Sequence, residues 1–173
     1  MLIQLKDGRV VSISRVESEK PLYKLVTGKE TTRYSLNNYI LSAYYDSKNI
    51  ANYNIRRPTT VHGNYYSRHV GEIGYFVSKK FRGSGLSYFM MFQTAQTALN
   101  KGIKITLIST TPNNKASIAL FENCGGKRAG LIKNVLKIKG KYIDSIWMES
   151  TTENLIKKSR SMWHKKGVKI VKK

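Results

Sequence analysis

Cysteine is all but missing from this sequence of 173 residues: Cys124 stands alone. That excludes an internal disulfide framework and a cysteine-built zinc site, and fits a reducing, cytoplasmic setting. Proline is scarce at three residues, and no low-complexity run divides the chain. Long apolar runs are absent too. The best of them, residues 103–108 and 39–45, fall far short of the roughly 20 residues that a membrane-spanning helix requires, so no transmembrane segment is expected. Lys6, Asp7 and Arg9 interrupt the first stretch, and no secretory leader is expected there. Acid is the scarcest charge: ten Asp plus Glu face 31 Lys plus Arg, a formal net charge of +21. An excess of this size resists self-association and draws polyanions, whether nucleic acid, anionic lipid or a polyphosphate-bearing cofactor.

What is present is ordinary globular material, 40% hydrophobic and 24% charged, enough to bury one core. The reading divides it into a folded domain over residues 1–150 and a basic tail over 151–173. The tail carries Lys157, Lys158, Arg160, Lys165, Lys166, Lys169, Lys172 and Lys173 against Glu153. Leu155, Ile156, Met162 and Trp163 recur in it at helical spacing, which predicts a helix. Its functional reading is a polyanion-binding arm in which Trp163 or Arg160 stacks on a base; the plain alternative is a solvated basic face. A membrane anchor is weaker, because the tail lacks a wide apolar face.

Alternation of Val11 and Ile13 with Ser12 and Ser14 predicts a first strand over residues 10–15. Leu22, Leu25 and Val26 predict a helix over 17–26, followed over 27–38 by a loop or a short, weakly specified helix. Residues 39–45 and 49–56 read as a hairpin, 58–67 as a basic loop, and 69–77 as a strand. A glycine-rich turn then leads into a helix over 86–100, ended by Gly102. Next come a strand over 103–108, a helix over 112–124 ended by Gly125 and Gly126, and two strands over 127–138 and 141–150 joined at Lys139 and Gly140. The strand–helix–strand order predicts parallel neighbours in an α/β fold whose mixed sheet is antiparallel at its start and end.

The turn reads Arg82-Gly83-Ser84-Gly85-Leu86-Ser87. Small residues where a helix begins let backbone N–H groups grip a phosphate, although many Gly-Ser-Gly turns are plain connectors. It lacks the Gly-Lys-Thr or Gly-Lys-Ser of a Walker loop, and Arg82 stands where a dinucleotide fingerprint has its first glycine. Residues 75–87, with Arg82, Gly85 and Ser87 in register, resemble instead the acetyl-CoA pyrophosphate loop of the GNAT superfamily of N-acetyltransferases. Ser87 departs from the usual Gly or Ala. A second stretch, residues 112–126, resembles the family's Asn-x-x-Ser-Ile-x-Leu-Tyr-Glu-x-x-Gly-Phe helix. The closing hairpin is similar to that of the phosphinothricin and ribosomal-protein acetyltransferase branches. The element order β-α-β-β-β-α-β-α-β-β is also the family's, and the likeness spans about residues 2–150.

The resemblance implies acetyl-CoA as co-substrate. It implies that backbone groups of Phe76 and Val77 pair with the pantetheine arm where two strands splay. Backbone N–H groups of Arg82, Gly83, Ser84, Gly85, Leu86 and Ser87 would hold the pyrophosphate, and Asn114, assisted by Ser117, would seat the pantetheine. Lys79, Lys80 and Lys115 stand close enough in sequence to meet phosphates, or to be solvated. Acetyl transfer to an amine needs that amine neutral and a proton for the leaving thiolate. In the phosphinothricin-like branch a Glu lies five residues before the strand's final Val, the spacing of Glu72 to Val77, and a carboxylate desolvated on an apolar strand makes a usable base. The alternative is a Glu held by Arg68 or Lys80; His69 and His62 are second choices of base. Phe121 stands where many members carry the Tyr that acts as acid, leaving Tyr142, Tyr75 or Ser117 as substitutes. Cys124 reads as a buried structural thiol.

The expected function is therefore acetyl transfer from acetyl-CoA to an amine by direct attack in a ternary complex. A strongly positive surface favours an acceptor in a ribosomal or RNA-associated protein or linked to tRNA. The competing expectation is a GNAT-fold protein with impaired catalysis that binds nucleic acid through its basic surface.

Overall fold

The computed structural model describes residues 1–18, 38–56 and 67–172. In chain order these form β1 (Leu2–Gln4), β2 (Val10–Ser18), β3 (Asn38–Tyr45), β4 (Lys48–Arg56), β5 (Val70–Val77), α1 (Leu86–Asn100), β6 (Ile105–Thr110), α2 (Lys115–Asn123), β7 (Lys127–Ile138), β8 (Lys141–Thr151), α3 (Thr152–Lys165) and β9 (Lys169–Lys172). One mixed sheet gathers the strands in the order β7-β8-β6-β5-β4-β3-β2-β1-β9. Its single parallel pair is β5 with β6, bridged by α1; every other neighbouring pair is antiparallel.

Two tight turns set the hairpins. Asp46 and Ser47 join β3 to β4, and Lys139 and Gly140 join β7 to β8, all four at positive φ, the backbone that matches the twist of a two-residue hairpin. The strands expected from residue 39 onward and the helices expected over 86–100, over 112–124 and in the tail recur within a few residues. Helix α2 starts later than residue 112 because Asn114 caps it, its side chain accepting from the Ser117 N–H.

The sequence reading misses three features. Strand β2 continues through Glu17 and Ser18, pairing with Tyr39 and Asn38, where a helix is expected to begin; cross-strand pairing outweighs weak helical spacing there. The rest of that expected helix, the 27–37 loop and most of the 58–67 loop lie outside the described residues. Strand β1 is too short to announce itself by alternation. The tail, besides its expected helix α3, contributes β9, which pairs antiparallel with β1.

Helix α1 is apolar nearly all round, and Phe89, Met90, Met91, Phe92, Ala95 and Ala98 are all buried. Such a helix needs cover on both sides. The sheet provides one side and α3 the other, through Leu155 and Trp163. Trp163 meets Phe89 edge to face at 5.3 Å, and the Arg160 guanidinium lies over Phe92. Trp163 is therefore core rather than a platform for a base, a correction to the reading of the tail: burying so large a ring stabilises the fold by about 2–3 kcal/mol, and nothing of it is left to stack outside. No helix among the described residues is long and apolar enough to cross a membrane.

Candidate functional site

Strands β5 and β6 pair only at Val70, Gly71 and Glu72, opposite Ile105, Thr106 and Leu107. Beyond that point β5 runs on to Val77 and β6 to Thr110 without bonding to each other, so the sheet opens in its middle. After β5, one tight helical turn over Lys79–Phe81 leads into the glycine turn and α1. A cleft of about 360 Å³ lies here, walled by Tyr75, Phe76 and Val77 on β5, by the turn and Tyr88, and by one face of α2.

The turn is built to expose its amides. Gly83 and Gly85 sit at φ +77° and +91°, a backbone that costs an L side chain roughly 1–2 kcal/mol, and such alternation points successive N–H groups into one hollow. The N–H groups of Gly83, Ser84, Gly85 and Ser87 make no hydrogen bond to the described residues. Ser84 is buried and its hydroxyl donates to the Phe81 carbonyl at 2.7 Å while accepting from the Leu86 N–H. The Leu86 side chain is fully buried. Ser84 and Leu86 thus face the core, whereas Arg82, Gly83, Gly85 and Ser87 line the cleft. Arg82 donates from Nε to the Val77 carbonyl at 3.2 Å, which folds it back along β5.

Across the cleft, Asn114 spends Oδ1 on capping α2 at 3.3 Å, leaving its Nδ2 donors without a partner among the described residues. Ser117 shares a hydrogen bond with the Tyr75 hydroxyl at 2.5 Å. Tyr75 stacks on Tyr53, with ring centroids 5.2 Å apart. Burial pushes the Tyr75 hydroxyl up to about 12, and burial likewise raises Tyr53, whose hydroxyl donates to the Ser87 carbonyl at 3.1 Å. Tyr75 therefore stays protonated throughout the neutral range.

The other candidate residues are dispersed. Glu72 is buried at 6% exposure, on the sheet where β5 and β6 are still paired, and it does not line the cleft. Its Oε2 accepts from Arg56 Nε at 3.2 Å and Nη2 at 3.1 Å, and its Oε1 accepts from the Ser109 hydroxyl at 3.1 Å. Phe121 is fully buried and packs under Gly126, where even a Cβ would come within 2.0 Å of its ring. Tyr142 is 65% exposed on the far hairpin, away from the cleft; of the three substitute acids, only Tyr75 and Ser117 reach it. His69 is exposed before β5, Lys79, Lys80 and Lys115 are exposed outside the cleft lining, and His62 lies outside the described residues. Burial lifts the Cys124 thiol to about 12, the opposite of an activated nucleophile.

Sequence reading passes over Tyr88, whose hydroxyl accepts from Asn123 Nδ2 at 3.1 Å on the cleft wall. It also passes over Arg56 and Ser109, the partners of Glu72, and over the role of Lys166, which reaches the cleft from the turn after α3. Tyr88 directly follows the glycine turn, a signal that was readable. Lys166 carries none, because its place depends on the pairing of β9 with β1.

An open parallel pair, a turn of unpaired amides at a helix start and a second helix across the cleft define an acyl-CoA-type transferase fold. The acetyltransferase (GNAT) family model matches residues 16–126, and the chain belongs to that family of acyltransferases. Solved structures agree in fold. A ribosomal-protein-alanine N-acetyltransferase from Brucella melitensis is 20% identical, with 66% of this chain and 68% of that one covered at a TM-score of 0.60. An N-acetyltransferase from Staphylococcus aureus Mu50 is 18% identical over 66% and 68%, with a TM-score of 0.60. A GNAT superfamily phosphinothricin acetyltransferase from Sinorhizobium meliloti, solved in complex with acetyl-CoA, is 18% identical over 66% and 60%, with a TM-score of 0.56. A search of curated proteins found no match.

Proposed function

We propose that this chain is an acetyl-CoA-dependent N-acetyltransferase that moves the acetyl group to an acceptor amine by direct attack within a ternary complex. The observation that carries the reading is the continuity of the cleft, from the unpaired amides of Gly83, Ser84 and Gly85 to the opening between β5 and β6. Unpaired N–H groups at a helix start suit an anion, and the two left-handed glycines keep side chains out of the hollow. Bound there, acetyl-CoA supplies an acetyl group activated as a thioester.

Each residue then has a task set by its surroundings. The amides of Gly83, Ser84, Gly85 and Ser87 hold the pyrophosphate. Backbone groups of Phe76 and Val77, with Asn114 Nδ2, hold the pantetheine arm, while Leu86 and the Ser84 hydroxyl brace the turn from beneath. Glu72 takes the proton of the acceptor ammonium, directly or through one water. Arg56 and Ser109 hold its carboxylate in place, and Oε1, with one donor against the two on Oε2, keeps room to accept a further hydrogen bond. Tyr75, held by Ser117, keeps its proton across the neutral range, the property required of an acid in this cleft. The buried, protonated Cys124 argues against an acyl-enzyme route, so direct attack remains.

For the acceptor, a net charge of +21 disfavours small polycations and favours an amine embedded in a polyanionic assembly, such as a ribosomal or RNA-associated protein or a tRNA-linked amine. The second reading, a nucleic-acid-binding module with impaired catalysis, is favoured by Phe121, which brings no hydroxyl to the site. Calorimetric titration with acetyl-CoA, with desulfo-CoA and ATP as comparisons, separates the two. Saturable one-site binding of both CoA species that survives moderate salt supports the enzyme. Binding matched by ATP, or lost with salt, overturns it in favour of the module.

A further inference from the structure

The basic tail is not uniform in where its cations stand. Most of its lysines are exposed along α3 and β9, but Lys166 is half-buried and lines the cleft beside Gly83 and Gly85. The contact behind this placement is close. A Cβ built on Gly85 would lie 2.5 Å from Val168 Cγ2 and 2.9 Å from Lys166 Cβ, so the turn after α3 rests directly on the backbone of the glycine turn. It is held there from both sides. Val168 is buried, its N–H bonds back to the Trp163 carbonyl at 3.2 Å, Gly167 takes the left-handed backbone that ends a helix, and β9 then pairs with β1. Lys166 makes no ion pair with the described residues. Lys166 is thus a cationic residue with its stem pinned against Gly85 and no acid among the described residues to satisfy it, at the end of the cleft where four amides also lack partners among them. The family match ends at residue 126, so the likeness assigns nothing to this part of the chain.

We infer that the turn after α3 completes the cofactor site, with Lys166 placing its ammonium on the pyrophosphate of the bound CoA ester. The inference rests on the acetyl-CoA reading of the cleft. The amides bring partial positive charge to a diphosphate diester that carries two negative charges, and Arg82 is turned back toward β5. A full cation from the turn after α3 supplies what that arrangement lacks. Among the cleft-lining residues Lys166 alone comes from the tail, and the tail's contribution to function is then one placed charge rather than a diffuse basic arm.

The test is calorimetric titration of the full chain with CoA and with dephospho-CoA, which keeps the pyrophosphate and lacks the 3′-phosphate. The variants are Lys166→Met, which keeps the apolar stem, Lys166→Arg, and Lys172→Met, which removes the same charge from β9 away from the cleft. Loss of a charge-assisted hydrogen bond is worth about tenfold to a hundredfold in affinity. Lys166→Met should weaken both ligands by that factor and equally, Lys166→Arg should recover most of it, and Lys172→Met should stay within about twofold of wild type. Melting without ligand should be the same for wild type and Lys166→Met.

Equal weakening by Lys166→Met and Lys172→Met would reduce Lys166 to the general field and overturn the inference. Loss seen with CoA but not with dephospho-CoA would move the contact to the 3′-phosphate and overturn it as well. A fall in unliganded melting temperature that Lys166→Arg repairs without repairing affinity would make Lys166 structural. Wild-type chain that binds neither ligand would remove the acetyl-CoA reading itself, and the inference with it, an outcome distinct from the other three.

Discussion

The two halves of the site differ in what their polar groups still need. On the cofactor side, the amides of Gly83, Ser84 and Gly85 and the Nδ2 of Asn114 lack partners among the described residues. On the proposed acceptor side, Glu72 already has three donors, two from Arg56 and one from Ser109. Donors gathered on a cleft wall without a protein partner are open to a ligand, so the first half is shaped for something that arrives. The second is shaped to hold one carboxylate still. Reading a site by its empty hydrogen bonds finds binding surfaces; it passes over a base, which must be oriented before it can act.

The sharpest break of that contrast is Glu72→Gln. It keeps the shape and the acceptance from Arg56 but removes the proposed base, and turnover should fall about 10²–10⁴-fold, the range for a general base, with acetyl-CoA affinity unchanged. Steady-state kinetics beside calorimetry decide it, and equal losses in both would return Glu72 to a purely structural place. Next in size are the two glycines of the turn. Gly83→Ala meets open space and carries only the backbone penalty, about 1–2 kcal/mol. Gly85→Ala carries the same penalty and also strikes Val168 and Lys166, which adds about 1–3 kcal/mol of overpacking. Urea unfolding should rank Gly85→Ala clearly below Gly83→Ala, and identical midpoints would mean that the turn after α3 does not rest on Gly85.

A smaller effect belongs to the cleft hydroxyls. Tyr75→Phe should lower kcat about tenfold, below the usual range of about 10²–10⁴-fold for acid–base contributions because a thiolate leaves readily, with little change in KM; an unchanged kcat would remove Tyr75 as the proposed acid. The smallest is a difference in alkaline stability. Burial raises Cys124 from 9.0 and Tyr75 from 10.0, each to about 12, so the folded chain keeps protons that the unfolded chain releases. Their contribution is whole below about pH 9 and is lost as pH climbs toward about 12. In Cys124→Ala that part of the decline should begin about one pH unit later than in wild type, as followed by urea midpoints at each pH.

Most of the fold is legible in the sequence because its signals are local. Two hairpin turns, a glycine turn, an apolar helix and a capped one announce themselves within a few residues. Where pairing partners are distant, the reading fails: β2 runs on through Glu17 and Ser18 because Tyr39 and Asn38 meet it, and β9 exists because β1 does. The site divides in the same way. The turn and α2 are contiguous motifs and were readable, whereas Arg56 and Ser109 come to Glu72 from β4 and β6. Trp163 and Lys166 show the limit most plainly. Both sit in one basic segment, yet one is core and the other lines the cleft, a distinction of helix face and strand pairing rather than composition.

The contact of Val168 and Lys166 with Gly85 also has a consequence in time. A ribosome makes the glycine turn well before it makes the segment that covers it, and β9 must find β1 before that cover is seated. A nascent chain ending anywhere between α2 and α3 carries both family motifs and an unfinished cleft. Ligand that prefers the finished cleft draws the late docking forward by mass action, so a well-supplied cofactor would act as a folding aid for the last-made part of the molecule.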